Sequence, residues 1–432
     1  MKRINSNELY AVIVSSIPFL YIGITSGLST EYIYEQEING KKDEEDISWI
    51  GASGLMLSFV GSLVVGYLMD KFGRRTLFFL TYAINFVGWM IIAFTKYFLL
   101  GRILISLTVG MAPASAIYVA EILQPEHRGT FLSIESTLEI LGSLFVYLIG
   151  YCISIKTSSL MLGIAAAFLF IFSFYIPETP YWYMLKRRKG EATKSLIWLR
   201  KGNELTIDRE LCEIEKNLIN TNKVDHGVFE IIFNLKWWRL FLLFSVYLLF
   251  TELTGFDMII PYSVQFFAKF NRTEIDSKII SIIFMVVTFA GTIGTVFIVE
   301  RFERTSLVIY GNLMNVFLLS ISAICEMYFN TYASSVISII CFCIFGTTVS
   351  ITAFTLPWTI ISENLPTEFR ATILAVLATE FSLTYFLFTK LFPDVLQNCP
   401  ISYIIWSFAV FSLLTCIFVR YFVKETRGII LS

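Results

Sequence analysis

Five carboxylates stand inside apolar runs of this chain: Glu135, Glu139, Glu252, Asp257 and Glu380. Each run is about 20 residues long, enough to cross a hydrocarbon core of roughly 30 Å. An ionisable group at the centre of such a layer costs about 2.5–3.5 kcal/mol on insertion scales. Its presence therefore points to a water-filled cavity, a basic partner or a bound proton, and Arg102, inside the fourth run, could be such a partner. Glu135 and Glu139 are four apart and share a helix face. Glu252 and Asp257 lie about 140° apart on an ideal helix, so they converge only if the chain unwinds near Gly255. Solute contact, proton exchange and a neutral hydrogen-bonded structural carboxyl all remain open for the intramembrane set Glu139, Glu252, Asp257 and Glu380.

The elements that must hold these groups are membrane helices. The 432 residues are 56% hydrophobic and 16% charged, against about a quarter charged in a soluble domain. Mean hydropathy is +0.69. Apolar runs near 9–29, 48–69, 76–95, 98–122, 130–152, 159–176, 238–268, 277–299, 305–326, 334–361, 371–392 and 399–423 predict twelve spans, with both termini on one side. Lys and Arg crowd the segments on the side of the termini, which predicts that side to be cytoplasmic. The loop at 30–47 is acidic, with Glu31, Glu35 and Glu37 among its carboxylates, and reads as a solvated outer loop. Asn271-Arg272-Thr273, an N-glycosylation sequon, falls in another outer loop. The first apolar run reads as an anchor and not as a cleaved signal. Net charge is −1, which gives no reason to expect nucleic acid. No Cys/His metal spacing and no Gly-rich Lys-Ser/Thr phosphate loop is present, so no metal or other cofactor is expected.

The chain also repeats itself. Asp70-Lys71-Phe72-Gly73-Arg74-Arg75 has an imperfect echo half a chain later in Glu300-Arg301-Phe302-Glu303-Arg304-Thr305. Both are short charged turns between apolar runs, which predicts a duplicated bundle. The expected fold is an all-α membrane protein of two pseudo-symmetric six-helix bundles, 1–176 and 238–432. Residues 177–237 form a cytoplasmic helical linker, with Leu196, Leu199, Leu211, Ile214 and Leu218 at helical spacings.

These motifs resemble those of the sugar porter family of the major facilitator superfamily, nearest its insect facilitated trehalose transporter-like branch. The Asp70–Arg75 turn is joined by Gly101-Arg102, Tyr118, Glu121, Arg128 and Gly129, then by Pro177-Glu178-Thr179-Pro180. Gly190-Glu191-Ala192, Pro357-Trp358, Glu363, Pro366, Arg370 and Glu425-Thr426-Arg427-Gly428 follow in order. The resemblance implies transport of a sugar or polyol by alternating access, no enzymatic activity, a monomer, and the plasma membrane. It implies a cytoplasmic gate of Asp70, Gly73, Arg74, Arg75, Glu121, Arg128 and Glu178, facing Glu300, Arg301, Glu363, Arg370 and Glu425. Pairs across the halves would form when that side closes. Gly73 would permit a close helix approach.

The expected substrate site departs from the family. Where span seven usually reads Gln-Gln-x-x-Gly-x-Asn, this chain has Thr251-Glu252-Leu253-Thr254-Gly255-Phe256-Asp257. Ser136 and Thr288 stand where amides are expected, and Tyr262 and Trp358 remain as aromatic walls. Symporters of the family carry an Asp in span one, where this chain has Thr25. The expected cargo contacts are therefore Thr25, Ser136, Thr251, Glu252, Asp257, Tyr262, Thr288 and Trp358, in a facilitated transporter. The alternatives are proton coupling through another carboxylate, a cation or amine as cargo, and a sensor that binds without flux.

Overall fold

The computed structural model describes residues 5–38, 44–123, 125–201, 204–222, 235–298, 301–329, 331–365 and 370–425; the side chains of 44–46, 125–130, 132, 133, 204–206, 217–222, 296, 297 and 370–372 lie outside that description. All regular structure among the described residues is helical. The first half holds α1 (Ser6–Ile38), α2 (Ile47–Phe72), α3 (Arg74–Phe94), α4 (Phe98–Ile122), α5 (Pro125–Cys152) and α6 (Ile155–Ser173). Three shorter helices follow: α7 (Pro180–Leu185), α8 (Lys189–Arg200) and α9 (Glu204–Asn222). The second half holds α10 (Leu235–Glu252) with α11 (Phe256–Ala268), then α12 (Ser277–Ile298), α13 (Arg304–Tyr328), α14 (Tyr332–Asn364), α15 (Arg370–Asn398) and α16 (Ile401–Phe422). Among the described residues eleven helices are long and apolar enough to span a membrane, and α10 with α11, bent by 45°, makes a twelfth.

Breaks in these helices have local causes. Leu253–Gly255 separates α10 from α11, and Gly255 takes φ +93°, a left-handed turn that ends a helix. In α14, residues Ser350–Thr355 form a wide π turn just before Pro357. A proline lacks the N–H for the regular bond and its ring crowds the carbonyl four residues back. Pro113 opens the second segment of α4 at the first helical position, where its missing donor does no harm.

We call the end carrying the described termini the terminal end and the opposite one the far end. At the far end both halves share one apolar core: Leu28, Ile140 and Tyr147 pack with Phe256, Ile260, Tyr262 and Phe266. At the terminal end each half keeps its own. Val12, Phe78, Tyr118 and Ile122 belong to the first, and Phe244, Tyr247, Ile360 and Leu377 to the second. The two bundles therefore converge at the far end and are packed separately at the other. The linker packs Ala192 and Leu196 on Ile207 and Leu211. It is pinned to the first half: Arg200 pairs with Glu8 and Glu210, and Asn7 donates to the Trp198 carbonyl at 2.8 Å.

The acidic segment at 30–47 differs from the solvated loop expected. Helix α1 runs on to Ile38, and Glu31 is buried, 2.6 Å from Lys278 of α12. A partner from the other half makes that burial tolerable, which sequence neighbours alone could not reveal.

Candidate functional site: a carboxylate cluster between the halves

The break at Gly255 does what ideal helix geometry forbids. It swings Asp257 off the path of α10, so that Glu252 and Asp257 come within electrostatic reach of each other. Glu139 of α5, in the first half, lies within electrostatic reach of Asp257. Glu380 of α15 reaches Glu252, and Tyr385, one turn further along α15, lies within reach of Asp257, Glu139 and Glu252. Ser136, Glu139, Asp257, Trp358, Glu380 and Tyr385 are all partly exposed. Glu252 is 2% exposed, with the Thr384 hydroxyl of α15 as its hydrogen-bonding neighbour. The nearby Thr384 hydroxyl donates to the Glu380 carbonyl, at 3.1 Å. Glu380 accepts a hydrogen bond from Ser245 on one oxygen and leaves the other bare. Glu135, the fifth carboxylate, turns away and accepts from Ser115 at 3.1 Å.

Arg102 pairs with none of them, so the basic partner that the sequence left open is not Arg102. Its guanidinium is 1% exposed and donates to the Thr25 carbonyl (2.9 Å), Ser29 Oγ (2.6 Å) and Ser53 Oγ (3.0 Å). Those acceptors all belong to α1 and α2, so Arg102 holds the first half together.

Several expected cargo contacts are committed elsewhere. The hydroxyls of Thr25, Thr251 and Thr288 donate to carbonyls four residues back, of Tyr21, Tyr247 and Phe284, at 2.8–2.9 Å. Tyr262 is 1% exposed, and its hydroxyl donates to Thr389 O at 3.0 Å and lies 3.4 Å from Ser48 O of the first half. It seals the far end. Beyond the seal lies a far-end cavity of ≈ 450 Å³ whose lining includes Tyr34, Gln265 and Asp276. Trp358 stands on the terminal side, edge-on to Phe381 at 5.5 Å, and Phe381 in turn lies 6.1 Å from Tyr385. The sequence reading missed Tyr385: nothing local distinguishes it from the other aromatics of α15.

The far-end closure is polar as well as apolar. Thr30 and Tyr147 both donate to the Ile260 carbonyl, at 2.7 and 2.6 Å. Tyr34 donates to Asp276 at 3.1 Å, and Lys278 donates to Gly150 O at 2.9 Å besides pairing with Glu31. Asn271 of the sequon sits at this end, accepting from the Thr273 hydroxyl at 2.6 Å.

At the terminal end the charged residues pair within each half in this conformation. Arg74 pairs with Glu121 at 2.9 Å, and Glu178 accepts from the amides of Arg74 and Arg75 at 3.0 and 2.9 Å. The second half repeats this: Arg304 pairs with Glu363 at 2.9 Å, and Glu425 accepts from the amides of Arg304 and Thr305 at 3.2 and 2.9 Å. A carboxylate at a helix N-terminus meets free N–H groups and the positive dipole end. Burial pushes the Glu178 carboxyl above its ordinary range, while the three amides and Arg74 pull it back. Asp70 lies 3.5 Å from Arg74 and is largely exposed; Arg75 donates to Phe174 O, and Arg301 is exposed. Glu300 and the side chains of Arg128 and Arg370 lie outside the described residues.

Two six-helix bundles related by a repeated turn, meeting around buried polar groups, define a membrane carrier of the major facilitator class. The model of the family described as "Sugar (and other) transporter" matches residues 10–432, and the chain belongs to that family. It is a family of transporters and not of enzymes. A facilitated trehalose transporter of Bombyx mori is 27% identical over 98% of this chain and 85% of its own length. A glucose transporter of Staphylococcus epidermidis is 26% identical over 87% of this chain and 85% of its own. Among solved structures, the partially occluded inward open xylose transporter XylE of E. coli superposes with a TM-score of 0.81 at 20% identity, covering 99% of this chain and 100% of that one.

Proposed function

We propose that this protein carries a sugar or related polyol across the plasma membrane by alternating access, as a monomer with both termini cytoplasmic. Trehalose and hexoses are the first candidates, since the named relatives move trehalose and glucose. The observation that carries the reading is the asymmetric packing: one shared core and a set of cross-half bonds at the far end, separate cores at the terminal end. Rocking of the halves about the polar centre would then expose it to each side in turn. The terminal end faces the cytoplasm in this reading, so the conformation is open inward. Ser136, Glu139, Glu252, Asp257 and Tyr385 contact the cargo, and the Trp358 face covers sugar C–H surface. The charged pairs at the terminal end rearrange across the halves when that side closes. Asn271 faces outward and carries a glycan.

Uptake of labelled trehalose, hexoses and polyols into expressing oocytes tests the reading. The expected result is saturable sugar uptake that falls at least tenfold in Trp358→Ala at equal surface expression. Normal uptake by that variant removes Trp358 from the site; binding without uptake would make the protein a sensor. Digestion with a glycosidase, read as a mobility shift lost in Asn271→Gln, checks the sequon.

A further inference from the structure

The far-end cavity lies outside the Tyr262 seal and belongs neither to the centre nor to the charges of the terminal end. Its ≈ 450 Å³ falls within the ~300–1,000 Å³ of ordinary small-molecule sites. Both halves wall it: Tyr34 and Ile47 come from α1 and α2, Gln265 from α11, Asp276 from just ahead of α12, and Gln397 from α15. Tyr262 lines it too, 1% exposed, with its hydroxyl committed to the Thr389 carbonyl. Gln265 is the residue that asks for a ligand. Its amide nitrogen and oxygen are both shut off from bulk solvent, and among the described residues neither has a hydrogen-bond partner. Native proteins rarely leave a buried amide so. An amide donates from nitrogen and accepts on oxygen side by side, which matches two neighbouring hydroxyls, one accepting and one donating. A simple ion satisfies only one of the two. A side-chain rotation of the kind common at binding sites brings the amide to a solute in the cavity. Gln397 adds a second amide at the exposed mouth, and the partly exposed Tyr34 and Ile47 offer apolar surface for C–H groups.

We propose that this cavity is a second solute site, which takes a neutral sugar or polyol from the far side while the centre is closed to that side. The proposal rests on the reading of the chain as a sugar carrier whose far end faces outward. Tyr34 and Ile47 belong to one half, Gln265 and Gln397 to the other, so the site is complete only while the halves meet there. A solute that binds one conformation alone draws the equilibrium toward it. Sugar outside therefore holds the far end shut, and at ten times its Kd cuts the open population about elevenfold. The site is a brake on entry when external sugar is abundant.

The test is the rate at which Ser48→Cys reacts, in expressing oocytes, with a thiol reagent that cannot cross the membrane. The chain used also carries Cys152→Ser and Cys399→Ser, which remove two exposed thiols. Ser48 lies beneath Tyr262 and is 7% exposed, so its cysteine reports opening of the far end. D-Glucose, trehalose and D-sorbitol are the probes, with glycine betaine at matched osmolarity as the control. The expected result is labelling slowed about tenfold by at least one of the three at saturation, and by betaine not at all. That slowing should vanish in Gln265→Leu and in Gln397→Leu and persist in Trp358→Ala, which alters the centre. Gln397 is exposed, so its replacement keeps the readout available even if Gln265→Leu fails to reach the surface. Slowing lost in Trp358→Ala puts the solute at the centre, which overturns the proposal and leaves the sugar carrier standing. Slowing that survives either glutamine substitution overturns it as well. Labelling that no probe slows means that the cavity holds water only, and the proposal falls. Uptake of the same probes by the same cells then reports separately whether the sugar carrier reading stands.

Discussion

Gly73 and Glu178 illustrate how one residue fixes another at the terminal end. Gly73 takes φ +95°, and a Cβ there would lie 2.2 Å from Glu178 Oε2. The glycine therefore makes room for a carboxylate that binds the first amides of α3. The second half solves the same problem differently, with Glu303 at φ −62° and Glu425 on the amides, so the missing glycine of the repeat is no defect. Gly73→Ala should destabilise the detergent-solubilised protein by about 1–3 kcal/mol, from left-handed backbone strain plus displacement of the carboxylate. A thermal melt checks it; an unchanged midpoint would mean that the turn relaxes freely. Glu178→Ala should cost a comparable 1–3 kcal/mol, since it strands buried amides, and Glu178→Gln clearly less. Both glutamates were legible as motif members in the sequence, but their acceptor role was not, because the amides they meet lie about a hundred residues away.

At the scale of the element, the bent pair α10–α11 decides what the centre contains. A continuous helix would point Glu252 and Asp257 to different sides; the turn at Gly255 brings them to one cluster. A Cβ at Gly255 would lie 2.4 Å from the Phe408 ring of α16, so neither backbone nor packing accepts one. Gly255→Ala should cut the uptake rate at least tenfold and lower the melting temperature, the left-handed backbone alone accounting for about 1–2 kcal/mol. A variant with wild-type uptake would show that the break is not needed for transport. The existence and rough extent of the helices were readable from apolar run length. Their ends were not: α1 overran its apolar stretch to Ile38 because Glu31 finds Lys278 on another helix.

For the whole molecule, the closed far end is held by a buried ion pair inside a ring of cross-half hydrogen bonds. The Glu31 and Lys278 side chains are 3% and 9% exposed, and the Lys278 ammonium also lies over the Tyr34 ring at 4.7 Å. Removing one partner leaves the other buried and alone, a cost of about 3–5 kcal/mol in this conformation. A shift of that size moves a two-state equilibrium by a factor of hundreds or more. Lys278→Met should therefore favour opening of the far end, and a cysteine at Ser48, beneath Tyr262, should react faster with reagent added from that side. Glu31→Gln in the same chain should restore much of the protection. Unchanged labelling in Lys278→Met would show that the shared apolar core alone keeps this end shut.

The sequence by itself determined the class of this protein. Run length fixed the membrane helices, the repeated charged turn fixed the duplication, and the ordered motifs fixed the family, because each is a property of neighbours along the chain. Tertiary structure alone decided which charges meet. It gave Lys278 to Glu31, gave Arg102 to hydroxyls and a carbonyl instead of a carboxylate, and brought Glu252 within reach of Asp257 and Tyr385. The physical reason is range: hydrophobic periodicity is written every few residues, whereas the stability of a buried charge depends on partners brought from other helices by the packing of the whole bundle.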